Sequence, residues 1–79
     1  MTEEQASRLF GVHGDLVEVE TCVRSLGMIT REVATPGKDF DVESVMYFIA
    51  FSLGMYAEKL SAATDELDEI RRELMGDQI

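Results

Sequence analysis

Several things are scarce in this chain, and each scarcity excludes a class of protein. Cys22 is its one cysteine, so no internal disulfide and no thiolate metal site can staple it. His13 is its one histidine, and with Asp15 alone beside it the ligands are too few for zinc. A solvated loop histidine is the simpler reading. Bases are outnumbered, with 7 Lys and Arg against 16 Asp and Glu for a net charge of −9. They stand singly except for Arg71-Arg72, whereas neutralising phosphates requires clustered cations, so direct binding of nucleic acid is not expected. An anionic membrane surface is disfavoured for the same reason. Long apolar runs are missing too. The longest uncharged stretch, Ser44 to Ala57, falls short of the roughly 20 residues of a membrane span. Thr2-Glu3-Glu4 carries the wrong charge for a secretory leader. A cytoplasmic protein is the expectation.

Breakers are sparse, and their placement divides the chain. Gly11-Val12-His13-Gly14, Thr35-Pro36-Gly37 and Gly76 are the three punctuation points. They predict a single all-α domain over 1–79, with a short helix over about 3–10, a second over about 15–34, a loop at 35–41 and a long helix over about 42–75. Start signals support each helix. Thr2 with Gln5 matches a capping box. Asp15 can cap the second helix, with Glu18 at its third position, and Asp41 the third, where Phe40 and Val45 form a hydrophobic staple. The residue before Pro36 disfavours helical angles, which stops the second helix near Thr35.

What the chain has in abundance is helical apolar patterning. Val42, Met46, Ile49, Leu53, Tyr56, Leu60, Ala63, Leu67, Ile70 and Leu74 recur at alternating spacings of four and three, a heptad seam that an isolated helix cannot bury. A second set, Val45, Phe48, Phe51 and Met55, widens the apolar face of the first half, so that half should be covered on more than one side. Beyond Glu58 only the narrow seam is apolar. The second helix, folded back antiparallel, reaches alongside the third only to about Leu60, and the first is too short and polar to cover the remainder. Ala50, Gly54, Ala57 and Ser61 form a strip of small residues where another helix could approach closely. Homodimerisation or higher self-association, completing a helical bundle, answers both shortfalls. In parallel tails Glu66 would face Arg71 of a second chain.

No complete catalytic set is legible. A nucleophilic Cys22 would need a base that nothing locates, and a small buried hydrophobe is the simpler reading. Asp15 with Glu18, Asp65 with Asp68 and Glu66 with Glu69 stand three apart, a spacing that can hold magnesium against a pyrophosphate in all-helical nucleotide pyrophosphatases. Caps and solvated flanks explain the same carboxylates. The expected function is therefore non-enzymatic and free of cofactor or metal. The chain is read as a small acidic protein that self-associates through the seam and works by protein–protein interaction, as an adaptor or regulator, possible contact with another protein running along the C-terminal helix. Asp65, Glu66, Asp68, Glu69 and Glu73 are the candidate acidic partner surface. The alternative is an acidic mimic of nucleic acid that inhibits a nucleic-acid-binding protein, as a phage antagonist of host defence would. The magnesium-dependent pyrophosphatase is a remote third.

Overall fold

Two long helices account for the chain in the computed structural model, which describes residues 1–76. Helix α1 spans Glu3–Ala34 and α2 spans Val42–Leu74, each about 48 Å long at 1.5 Å per residue. They form an antiparallel hairpin measuring 59 × 20 × 13 Å, so it is one helix thick. No helix among the described residues is long and apolar enough to cross a membrane. Residues 77–79, at the end of the expected 1–79 domain, lie outside the described residues.

Local chemistry sets the ends. The Thr2 hydroxyl accepts from the Gln5 amide at 3.1 Å while the Gln5 side chain accepts from the Thr2 amide at 2.9 Å, closing the capping box. Asp41 caps α2, accepting from the Ser44 amide at 3.3 Å and its hydroxyl at 2.8 Å. Those bonds, the hydroxyl's first, hold the Asp41 carboxyl below the usual carboxylate range. Gly37 in the turn and Gly76 after α2 adopt φ of 86° and 83°, angles that favour glycine.

The expected break at residues 11–14 does not exist. Helix α1 runs through both glycines, so the short helix over 3–10 and the helix over 15–34 are one element. Neither glycine has positive φ, and Val12 between them is among the most buried residues. Each interior glycine costs about 1 kcal/mol relative to alanine, and burial of Val12 with the ion pairs of Arg8 offsets that. Asp15 and Glu18 are correspondingly mid-helix residues and cap nothing. Nothing lies within 4 Å of where a Cβ on Gly11 or Gly14 would stand. The double variant Gly11→Ala/Gly14→Ala is therefore expected to gain about 1–2 kcal/mol, read as a higher denaturant midpoint. A loop at these glycines would give no gain.

Every residue of α1 that is not exposed falls on one line: Gln5, Arg8, Val12, Asp15, Val19, Cys22, Leu26, Ile29 and Val33. The spacing alternates three and four throughout. On α2 the matching line is Val45, Ile49, Ser52, Tyr56, Lys59, Ala63, Glu66 and Ile70, with Asp68 the one other residue not fully exposed. These are the a and d positions of an antiparallel coiled coil. The deepest points are Ala63 at 2% and Ile70 at 3% exposure.

That line corrects the predicted seam. Ile49, Tyr56, Ala63 and Ile70 face α1 as expected. Met46, Leu53, Leu60, Leu67 and Leu74 do not, and all five are exposed. The facing surface is rotated about 50° from the apolar stripe, as half the 100° step between neighbouring residues. The second correction concerns what covers the tail. Because α1 continues to Glu3, its first half lies along residues 63–73, and Ala63 and Ile70 are buried by their own chain.

Candidate functional site

Ion pairs fix the rotation of the two helices. Arg8, its side chain 23% exposed, reaches across to Glu66 at 2.5 Å, Glu73 at 2.8 Å and Glu69 at 3.6 Å. Gln5 adds a bond to Glu73 at 3.1 Å. Near the middle, the Lys59 ammonium sits 2.5 Å from Glu18 and 4.0 Å from Asp15. Turning α2 to bury its leucines would break these contacts and strand polar groups in the seam, where an unpaired charge is costly. The leucines are thereby left outside.

The pairs leave marks on titration. Arg8, then Gln5, holds the Glu73 carboxyl below the ordinary glutamate range, and Glu18 raises the Lys59 ammonium. A carboxylate whose folded pKa is depressed contributes stability above its unfolded pKa and loses it as pH falls through the folded value. Arg8→Met, which keeps an apolar stem, is thus expected to be less stable than the parent at pH 7. Denaturant melts of the two should converge as pH falls through the ordinary glutamate range and on through the lower folded value of Glu73, where that carboxyl takes up its proton. A difference that persists once Glu73 is protonated would assign the loss to packing instead.

The candidate acidic surface divides. Glu66 and Glu73 turn inward to Arg8. Asp68 pairs with Arg71 at 2.7 Å and Arg72 at 2.9 Å, and Arg71 leads in holding its carboxyl low. Asp65, Glu69 and Glu73 line a shallow open groove with Arg72. Glu66 and Arg71, expected to face each other across two chains in parallel tails, each have a partner within their own hairpin. Asp15 and Glu18 face an ammonium, and no three of His, Cys, Asp and Glu converge as a metal set among the described residues. His13 rides on α1 with its ring 6.1 Å from Phe10, not in a loop. Cys22 is half-buried in the seam against Tyr56, whose phenol it pushes up together with burial and Glu18.

Two apolar surfaces remain. In an antiparallel pair the e positions of both helices flank the same side. Here that side carries Leu9, Leu16 and Val23 from α1 and Met46, Leu53, Leu60, Leu67 and Leu74 from α2, all exposed. It is aliphatic along most of the hairpin's length. The small strip Ala50, Gly54, Ala57 and Ser61 lies beside it on α2. Among the described residues the opposite side is apolar only near the turn, where Met28, Phe48, Phe51 and Met55 are exposed. Met28 also lines a groove with Ile29, Glu32, Val33, Phe40 and Val45.

The fold also gathers charge that the sequence spreads evenly. The half of the hairpin near the termini, residues 1–20 with 57–76, holds eleven acids and four bases, a balance of −7. Residues 21–56 hold four acids and three bases, a balance of −1. No protein-family model, curated protein or solved structure matches this chain.

Proposed function

We propose that this is a non-enzymatic helical interaction protein, a hairpin that self-associates along its aliphatic side and offers the Phe and Met patch near its turn to another protein. One observation carries the reading: the row Met46, Leu53, Leu60, Leu67, Leu74 keeps strict heptad spacing yet stands outside the hairpin. A sustained leucine row at seven-residue spacing has no use in water, and exposed apolar faces of this extent mark interaction sites. The turn-end patch differs in chemistry. Its methionines and aromatics repack around varied surfaces, which suits a hetero-partner. Each carboxylate pair that a magnesium site would need has a member engaged by a cation: Asp15 and Glu18 by Lys59, Glu66 and Glu69 by Arg8, and Asp68 by Arg71 and Arg72.

The acidic mimic is the second reading, favoured by the −7 balance of the terminal half. Capture from lysate separates the two. A partner held through the turn-end patch survives high salt and is lost in Phe51→Ser. A nucleic-acid-binding protein held by mimicry is released by salt and indifferent to Phe51→Ser, because surface charge attraction is screened within about 10 Å at 0.1 M.

A further inference from the structure

The occupant of the aliphatic side can be argued from area, shape and charge. The chain exposes 6292 Å², whereas a compact monomer of 8.8 kDa exposes about 4,800 Å² by the usual mass scaling. The surplus is about 1,500 Å² per chain. Covering it in pairs buries about 3,000 Å², inside the roughly 2,000–5,000 Å² of obligate homodimers. A smaller partner such as a single short helix leaves much of that surplus open. A second hairpin presents the same flat aliphatic side, equal in length, and the pair becomes four helices around one core.

Charge fixes the orientation. Side by side with turns together, two copies would place two −7 halves against each other. Reversed, each −7 half lies beside the nearly neutral half that carries Arg24, Arg31 and Lys38. The like-charged ends then sit apart along a 59 Å molecule, several screening lengths at physiological salt.

We infer that a second copy of the chain covers the aliphatic side in antiparallel orientation, the turn of one copy beside the termini of the other, making a two-fold four-helix bundle. This rests on the self-association proposed above and adds the face and the direction. About the two-fold axis α2 lies against α2 of the partner copy, which brings Met46 level with the other chain's Leu74 and sets Leu60 near the axis.

Single-cysteine full-length chains in a Cys22→Ser background test it. Met46→Cys mixed with Leu74→Cys should give an interchain disulfide as the main oxidised product, and Leu60→Cys should link to itself. A product from Leu9→Cys mixed with Leu67→Cys, in place of these, overturns the direction, because parallel hairpins set α2 against α1 of the other copy. An assembly in sedimentation that none of these pairs traps overturns the face and leaves self-association standing. A monomer at micromolar concentration overturns self-association itself.

Discussion

The double variant Leu53→Glu/Leu60→Glu is expected to split the protein into monomers and to strip much of its helix. Both leucines are about half exposed in the hairpin, at 49% and 44%, so the isolated hairpin loses little when they change. In the paired state proposed above they sit at mid-length under the second copy, four side chains in all. Completing the burial of each leucine is worth about 1 kcal/mol, and a carboxylate placed there adds a desolvation cost of similar or larger size. The sum is about 5 kcal/mol or more, over a thousandfold in dissociation constant. The helix goes with the dimer because a hairpin one helix thick buries too little by itself. Sedimentation velocity reads the first effect and circular dichroism the second. Phe51→Glu, on the other side of α2, should leave the assembly intact, and equal losses in both variants would deny the aliphatic side its role.

The second large effect is expected at the contact the sequence conceals. Ile70→Ala should cost about 2–4 kcal/mol, since Ile70 is 3% exposed and truncation leaves a cavity between packed helices. Val12→Asp should be at least as damaging, setting a carboxylate without a partner at a position that is 4% exposed. Phe10→Ala, two residues from Val12 and outward-facing, should change stability by less than about 0.5 kcal/mol. Denaturant midpoints followed at 222 nm decide. If Val12→Asp were as silent as Phe10→Ala, α1 would not lie along the tail of α2.

These residues show where the sequence is readable. Thr2 with Gln5, Asp41 with Ser44, and the glycines at 37 and 76 act within a few residues of themselves, and their roles as cap or turn could be read directly. The all-α hairpin, its turn and the long second helix followed from them. The continuity of α1 did not, because two glycines cost about 2 kcal/mol locally while the opposing terms, Val12 on α2 and Arg8 on Glu66 and Glu73, span some sixty residues. The facing line on α2 was hidden for a related reason. Apolar periodicity selects the leucines at 53, 60 and 67, whereas Lys59 and Glu66 are drawn to the seam by Glu18 and Arg8 on the other helix. Charge gathers at one end because the turn brings residues 1–20 beside 57–76, a proximity absent from linear order.

Sedimentation equilibrium of the unmodified chain in the micromolar range, at neutral pH and physiological salt, tests the central claim most directly. The predicted result is a particle of twice the 8.8 kDa chain mass, with a melting temperature that rises with concentration. An 8.8 kDa particle that stays helical and melts cooperatively at a fixed temperature would contradict it, for then the hairpin stands alone with its leucines in water.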